Sequence, residues 1–452
     1  MGKKTFGPDP QEKRFAGYME GLAKAAGHAD REAPLKSYCA GLLLPGERKS
    51  VEPMAARLAP DNIQRMHQSL HHLVADAPWR DEELLRQVRS SVLPAMREQG
   101  EIVCWIVDDT GFPKKGSHSV GVARQYCGQV GKQDNCRVAV SLSVATWSAS
   151  LPIAFRLYLP EAWTEDKKRR KAGGIPEEIQ FETKPQIALA QIRKAVEEDV
   201  TRGVVVADAG YGVDGRFRAG ITELGMEYAV GVQSSLTVWA PGTEPLPPLP
   251  RKQMGRPPSL LRRDKDHQPV SAKQLASDLS AKDWKTVSWR QGTEQKLRSR
   301  FAAVRVRPAH HDYWQSEPHA EECLRSKPQP VDRKPWLLIE WPKREAEPVK
   351  YWLSTLPANA KLKDLVAVAK QRWIIERDYE ELKQELGLGH YEGRGWRGFH
   401  HHATLCIASY GFLVAERSLF SPSARAGKLG LRAAPLPAHF QPRGAARSSR
   451  AA

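Results

Sequence analysis

The chain has 452 residues, 41% of them hydrophobic, with 69 Lys and Arg residues against 52 Asp and Glu and a formal net charge of +17. This length and apolar content predict roughly two or three domains with an ample core, which excludes a disordered polycation. The positive charge is typical of proteins that bind nucleic acid by neutralising phosphates, and RNA-binding or ribosome-associated proteins share it.

The cysteines and the apolar segments exclude further classes. The six cysteines are scattered, with no Cys-x-x-Cys pair and no Cys/His spacing of a zinc site. No apolar run approaches the about 18 residues that a membrane crossing needs, and no apolar segment follows the N-terminal lysines. We therefore expect reduced core cysteines in a cytoplasmic protein that contacts no membrane.

Residues 1–98 are predicted to form a helical N-terminal domain. Apolar residues recur at helical spacing in residues 60–77 and 81–97, and Ser50 is a candidate N-cap of a third helix. Such domains often bind DNA, and a bundle that only packs on the rest of the protein is an equally open alternative.

The first apolar run, residues 102–107, indicates a buried strand that stops at a polar, turn-like break opening with Asp108 and Asp109. Three later runs predict an antiparallel meander, at residues 119–126, 137–146 and 151–159. The basic run at residues 167–171 indicates a solvated face or a track for phosphates.

A second acidic strand end is predicted further along the chain. A helical segment at residues 184–200 precedes an apolar run, residues 203–207, which ends at Asp208. In an open α/β sheet, sites form beyond the carboxyl ends of the strands, so the two acidic ends are expected to converge.

Residues 233–346 interrupt this predicted core. Proline density at residues 241–250 and basic character at residues 251–265 predict loops, and the tetrad at residues 255–258 resembles a minor-groove hook or is a solvated basic loop. Strand character then appears in four runs, at residues 286–290, 298–306, 336–341 and 349–354.

A third group of charged residues lies on a helix predicted over residues 361–386. Arg372, Glu376 and Lys383 are expected near one face of it, because steps of four and seven residues return to nearly the same angle. The consecutive histidines at residues 400–402 are predicted to begin the last helix and not to bind metal, since neighbouring residues point to different faces. Residues 418–452 are predicted to be a basic disordered tail.

Two strand-end aspartates and one helix glutamate form a set of hard oxygen donors. Mg²⁺ prefers such ligands and keeps several waters, so two or three carboxylates suffice. Two ions about 3.5–4 Å apart activate the attacking oxygen and stabilise the leaving oxygen of a phosphoryl displacement. The pattern indicates metal-dependent cutting of DNA, while the alternative for any single acid is an ordinary strand end paired with a base.

The spacing of Arg372, Glu376 and Lys383 resembles the signature around the last catalytic glutamate of insertion-sequence DDE transposases, a branch of the ribonuclease-H-like nucleases. The tyrosine three residues before the arginine in that signature is Ala369 here. Further stretches resemble the insertion-sequence seven-oh-one group across most of residues 1–416, at residues 108–116, 121–126, 206–212 and 387–392.

This resemblance implies an α/β fold with a ribonuclease-H-like mixed-sheet core, residues 99–232 and 347–417, split by a β-rich insertion at residues 233–346 and preceded by the all-α domain. It implies that Asp109, Asp208 and Glu376 are catalytic and hold two Mg²⁺ or Mn²⁺ ions. Asp108 is the alternative first carboxylate.

The resemblance also implies which residues bind DNA. Arg372 and Lys383 are expected to hold phosphates, although Arg372 could instead pair with Glu376. Trp289, in the insertion, is the candidate for stacking on a flipped base, with a core tryptophan as the alternative. The motif at residues 108–116 contains two further residues that are predicted to contact DNA, Lys114 and Lys115.

The implied activity is that of a DNA transposase that cuts insertion-sequence ends and joins their 3′-hydroxyls to target DNA, with a hairpin on the transposon end as an implied intermediate. Its partners would be double-stranded DNA and further copies of itself, and its location the bacterial nucleoid. Two alternatives are a catalytically silent DNA-binding regulator derived from a transposase and a non-transposing metal-dependent nuclease. Terminal inverted repeats flanking the gene would argue against the nuclease.

Overall fold

The computed structural model describes residues 10–247, 263–292, 295–309 and 334–419. The predicted minor-groove tetrad and residues 420–452 of the predicted tail lie outside the described residues. The predicted start of the tail at residue 418 is wrong, because Ser418 and Leu419 are helical. Contacts group the described chain into two compact units. The first unit comprises residues 10–102, Asp108–Ile187 and 374–419, and the second comprises Val103–Val107 and the described part of residues 188–373. The division into domains by expected role stays a prediction.

The α-helices of the described residues are α1 (Pro10–Ala25), α2 (Glu32–Leu43), α3 (Val51–Leu58), α4 (Ile63–Ala75), α5 (Asp81–Gln99), α6 (Glu161–Thr164), α7 (Lys167–Gly173), α8 (Lys184–Glu197), α9 (Ala209–Gly212), α10 (Gly215–Glu223), α11 (Ala272–Asp278), α12 (Leu362–Lys370), α13 (Ile374–Glu380) and α14 (Trp396–Leu419). Among them, none combines the length and the apolar character that a membrane crossing requires.

The strands are β1 (Cys104–Pro113), β2 (Ala123–Cys127), β3 (Lys132–Ala145), β4 (Ser150–Leu157), β5 (Val204–Ala207), β6 (Tyr228–Val232), β7 (Thr237–Trp239), β8 (Val270–Ser271), β9 (Lys285–Gln291), β10 (Lys296–Arg305), β11 (Arg307–Pro308), β12 (Trp336–Trp341) and β13 (Lys350–Ser354).

In the first unit, α14 is the central helix. It is buried on nearly every side and packs against α2, α4, α5 and β4, as expected of a helix without a polar face. The three histidines at residues 400–402 lie in its first two turns and are all buried. The N-terminal helices predicted from the sequence are confirmed. Ser50 holds the predicted N-cap position of α3, but its side chain makes no capping hydrogen bond.

The predicted meander of the first unit is confirmed, because β3 pairs antiparallel with both β2 and β4. The predicted break at Asp108 is wrong, because β1 continues to Pro113. Gly111 explains part of this continuation, since a Cβ there would lie 2.6 Å from Cys127 Sγ and only glycine lets the strand lie so close.

The second unit is built on a mixed sheet in the order β1, β5, β6, β13, β12, β10 and β9. The first three strands are parallel and the others antiparallel. The strands predicted between residues 286 and 354 are confirmed, and they extend the sheet that carries Asp208. The predicted α/β fold with a ribonuclease-H-like mixed-sheet core is confirmed.

The helix predicted over residues 361–386 is not one regular helix. α12 is followed by a 3₁₀ turn, Gln371–Trp373, and α13 by a π-helical turn, Glu381–Glu385. Both turns change the rotation per residue from that of an α-helix. The regular α-helical spacing behind the expected common face of Arg372, Glu376 and Lys383 is therefore absent, and the common face stays a prediction.

Candidate active site

The first unit places Asp108 and Asp109 side by side in β1, both partly exposed. The backbone N–H of Asp109 donates to Oδ1 of Asp108 at 2.9 Å. On Asp109, Oδ2 accepts a hydrogen bond from Nζ of Lys184 at 2.8 Å. About a third of each of these two side chains is exposed, 30% for Asp109 and 28% for Lys184. A cation therefore already lies against the predicted first metal ligand.

Tyr379 lies in the helix that carries Glu376 and contacts β3. The tyrosine is buried, and its hydroxyl lies 2.6 Å from Ser141 Oγ. Burial raises the pKa of Tyr379, and the charge of Asp108 raises it further, with a smaller effect of Asp109. Tyr379 follows the exposed Glu376 by three residues in α13. The aspartates of β1 and the helix of Glu376 thus lie in one compact unit.

Lys383, in the same helical segment, forms a hydrogen bond with β1. Its Nζ donates to the carbonyl oxygen of Gly111 at 2.9 Å and to Oε1 of Gln129 at 3.2 Å. The ammonium also lies 5.1 Å from the ring centroid of Phe112. Burial lowers the pKa of Lys383 to about 8. An ammonium has three N–H groups, so these contacts leave it able to hold a phosphate as well.

The second unit holds Asp208 at the carboxyl end of β5, as predicted. Asp208 is partly exposed and is the N-cap of α9, where its Oδ1 accepts a hydrogen bond from the Gly210 N–H at 2.9 Å. Close contact with β6 fixes this turn, because a Cβ on Gly231 would lie 2.9 Å from Ala209 N and one on Gly212 would overlap the Gly231 carbonyl. Glycine is required at both positions.

Arg372 and Trp289 also belong to the second unit. The ring of Trp289 packs edge-on against Phe301 with centroids 5.6 Å apart, and Lys370 Nζ lies 4.5 Å from its centroid. Lys370 itself pairs with Glu340 at 2.5 Å. The predicted base-stacking ring is therefore half-buried among neighbours in this structure, and its role stays a prediction.

The two lysines after β1 differ in their surroundings. Nζ of Lys114 donates to the carbonyl oxygen of Tyr391 at 2.7 Å, and burial, with a further effect of Arg137, lowers its pKa to about 8. Lys115 is exposed. Neither the sequence spacing nor the motif distinguishes the two, because the partner of Lys114 is 277 positions away.

Within the residues that the structure describes, no three His, Cys, Asp or Glu side chains stand close enough together to hold a metal ion. The predicted triad of Asp109, Asp208 and Glu376 therefore stays a prediction. The donor chemistry at Asp109 fits a divalent cation, because its carboxylate is partly exposed and already attracts the ammonium of Lys184.

Two residues of this region escaped the sequence reasoning. Lys184 carries no motif of its own and lies 75 positions from Asp109, so nothing local indicated the pair. Tyr379 could have been found, because a residue three positions from Glu376 on a helix lies beside it.

Comparison with known families agrees with the fold. The family of DDE superfamily endonucleases matches residues 21–296, and the transposase DDE domain matches residues 183–412. Each match covers more than half of the chain. The chain therefore belongs to the DDE superfamily of endonucleases and transposases, which confirms the predicted family.

One protein similar to this chain is the probable transposase for insertion sequence element IS701 of Microchaete diplosiphon. The two are 33% identical over 190 residues, which is 42% of this chain and 46% of that relative. The chain thus matches less than half the length of the relative.

Proposed function

We propose that this protein is a DNA transposase that cuts the ends of an insertion sequence and joins their 3′-hydroxyls to target DNA. The proposal rests on family membership and on one structural observation. Asp109 and the helix that carries Glu376 belong to one compact unit, in which Lys383 of the same helical segment donates to the Gly111 carbonyl oxygen of β1. A metal-dependent nuclease requires carboxylates from such elements at one site.

Asp109, Asp208 and Glu376 would hold two Mg²⁺ or Mn²⁺ ions, with Asp108 as the alternative to Asp109. Such ions would supply activation of the attacking oxygen and stabilisation of the leaving oxygen. The ammonium of Lys184, 2.8 Å from Oδ2 of Asp109, holds that carboxylate in place.

The basic side chains would position the DNA. Lys383 and Arg372 would donate charge-assisted hydrogen bonds to phosphates near the cut, and the exposed Lys115 would contact the backbone beside β1. Trp289 would stack on an unpaired base only if Lys370 moved away from its ring. Joining two ends would require a homo-oligomer, and DNA binding would place the protein on the nucleoid.

The test is cleavage of a DNA fragment that carries the gene's own flanking ends, with Mg²⁺ or Mn²⁺, by wild type and Glu376→Gln. The matched control is Glu380→Gln, which removes an exposed carboxylate one helical turn away in the same helix. We expect metal-dependent cutting at the end boundary by wild type and by the control, and none by Glu376→Gln.

Other results would favour the alternatives. Tight binding without cutting by wild type would indicate the silent regulator, and cutting without joining of 3′-ends would indicate a non-transposing nuclease.

A further inference from the structure

Four segments of the first unit bring basic side chains to the short turn at residues 387–392. Lys49 precedes α3, Lys114 follows β1, Arg137 lies in β3 and His390 lies in the turn itself. We call this group the basic notch. Its contacts connect residues between 254 and 341 positions apart, such as Arg137 with Tyr391 and Lys49 with His390. The turn belongs to a motif for which the proposed reaction gives no role.

Arg137 is the most buried member of the basic notch, with 1% of its surface exposed. One long hydrogen bond joins its Nη2 to the carbonyl oxygen of Tyr391 at 3.4 Å. Its Nε and Nη1 have no hydrogen-bond partner among the described residues. The guanidinium lies over the rings of Phe399 and Tyr391, at 4.8 and 5.8 Å. Burial lowers the pKa of Arg137 to about 10. A buried cation with free donors is unfavourable unless an anion compensates it.

Lys114 and Lys49 add positive charge to the basic notch, and carbonyl oxygens rather than carboxylates accept the hydrogen bonds of their ammonium groups. Lys114 Nζ shares the Tyr391 carbonyl oxygen with Arg137, and Lys49 Nζ donates to the Leu42 carbonyl oxygen at 2.8 Å. Burial lowers the pKa of each lysine to about 8. Carbonyl oxygens accept these hydrogen bonds, but they carry no negative charge.

The carboxylates near the basic notch lie on the surface. Glu392 pairs with Arg48 at 2.6 Å, and both side chains are more than half exposed. Glu385 attracts Lys49 and is also exposed. His390 is half-buried, and burial together with Arg48 and Lys49 lowers its pKa. Positive charge therefore exceeds negative charge inside the notch.

The notch is open to solvent on one side. Lys114 and His390 are partly exposed, and Lys115 beside them is fully exposed. A Cβ at Gly389 would meet nothing nearer than Phe112 Cδ1 at 4.0 Å, which leaves space next to the turn. By contrast, a Cβ at Gly387 would overlap Cβ and Cγ of Lys49, so glycine there lets the turn pack against the aliphatic part of that side chain.

We propose that the basic notch binds one phosphate of the DNA backbone, with the partly exposed Lys114 as its donor and the buried Arg137 adding positive charge behind it. The guanidinium and the ammonium converge on one carbonyl oxygen, so two positive charges attract the same anion. A phosphodiester is the anion that the proposed function brings to this surface, so the inference rests on that function for the source of the phosphate.

The first experiment measures thermal unfolding of the full chain with inorganic phosphate, against potassium chloride of equal ionic strength. We expect phosphate to raise the midpoint for wild type, because an anion that binds the folded state stabilises it. Arg137→Met keeps the bulk and removes the charge, so we expect about tenfold weaker phosphate binding. The same change in a purely structural arginine would lower stability and leave the phosphate effect intact.

Lys114→Gln provides a second variant in case Arg137→Met does not fold, and it should also lose the phosphate effect. Lys132→Gln is the matched control, because Lys132 is exposed in the strand of Arg137 and lies outside the notch. Equal stabilisation by phosphate and chloride, or an unchanged phosphate effect in Lys114→Gln, would overturn the proposal.

The second experiment measures duplex DNA binding as a function of salt. Lys114→Gln should lower the slope of log K against log salt by about 1, while Lys132→Gln should not. Failure of this inference and failure of the proposed function are distinguishable. Cutting at the ends without a phosphate effect would reject the notch alone, and a phosphate effect without any cutting would reject the transposase alone.

Discussion

Asp109 and Lys184 form a side-chain pair that the sequence motif does not predict. The motif identifies Asp109 as a candidate ligand, and the structure adds an ammonium at 2.8 Å from its carboxylate. The two groups are partly exposed, so the pair itself contributes little to stability. The pair matters for metal binding, because a divalent cation and the Lys184 ammonium would compete for the same Asp109 oxygen.

We predict that Lys184→Met changes the free energy of unfolding by less than about 1 kcal/mol. If Asp109 is a metal ligand, the variant should bind Mn²⁺ about tenfold more tightly, because removal of a nearby like charge favours the metal. Titration of Mn²⁺ followed by electron paramagnetic resonance measures this affinity. Arg193→Gln, an exposed change in α8, is the control. Weaker Mn²⁺ binding in Lys184→Met would show that the lysine positions Asp109 instead.

Gly212 is a second residue whose role depends on one close contact. We predict that Gly212→Ala costs about 1–3 kcal/mol of stability and abolishes DNA cleavage, since the added methyl group would overlap the Gly231 carbonyl and displace the turn of Asp208. Urea unfolding and the cleavage assay measure the two effects. Gly17→Ala in α1 is the control, because nothing lies within 4 Å of its added Cβ. Normal activity in Gly212→Ala would mean that the turn tolerates the shift.

At the scale of elements, α13 and the π-helical turn are held by polar contacts to other elements of the first unit. Asp378 in α13 accepts hydrogen bonds from Ser150 of β4 and Tyr410 of α14, the latter at 2.8 Å. Glu381 pairs with Arg417 at 2.7 Å. These contacts fix α13 in the first unit, and they precede the irregular turn that places Lys383 on Gly111.

We predict that Lys383→Met lowers stability by about 1–2 kcal/mol, because the Gly111 carbonyl oxygen loses a charged donor. Cleavage should fall more than this loss of stability explains if Lys383 also holds a phosphate. Urea unfolding and cleavage at saturating DNA separate the two effects. The control is Lys363→Met, an equivalent change at an exposed position of α12. A drop in stability with full activity would leave Lys383 a structural residue.

At the scale of the whole molecule, the contacts define two units that both draw on distant parts of the chain. β1 contributes Cys104–Val107 to the second unit and its remaining residues to the first. Both family matches include residues from each unit. The family pattern is therefore distributed over two compact units, and neither unit is one continuous stretch of sequence.

Buried titratable groups make the stability of the folded protein depend on pH. His402 lies between Tyr38 Oη and the Gly387 carbonyl oxygen, and burial lowers its pKa from 6.5 to about 4. Burial also lowers the pKa of His400. Between pH 6.5 and 4 the unfolded chain binds more protons than the folded chain. The stability that the neutral buried histidines contribute is therefore present above pH 6.5 and is lost as pH falls towards 4. Asp378 acts oppositely, because burial raises its pKa to about 6 and its protonation on acidification favours the fold.

We predict that the free energy of unfolding falls by on the order of a few kcal/mol between about pH 7 and pH 5, because the buried histidines outnumber the single aspartate. Chemical denaturation across this range measures it. The stability of His402→Gln should change less with pH than that of wild type, even if the variant is less stable at every pH. The control is His71→Gln, at an exposed position of α4. The same slope in wild type and His402→Gln would contradict the prediction.

Much of the fold could be predicted because the signals are local. The apolar runs that became β5 and β12 and the periodic stretch that became α5 depend on burial patterns within one element. The strand of Asp108 was predicted to end too early, because polar residues resemble a turn when their partners are unknown. Tertiary contacts supplied those partners.

The sequence by itself determined the order of helices and strands, the family, and the candidate carboxylates Asp109, Asp208 and Glu376. Only the tertiary structure decided what surrounds them. Lys184 at Asp109 and Arg137 beside Tyr391 are contacts over 75 and 254 positions. No periodicity records such pairs, because they arise from packing between elements rather than from the conformation of one element.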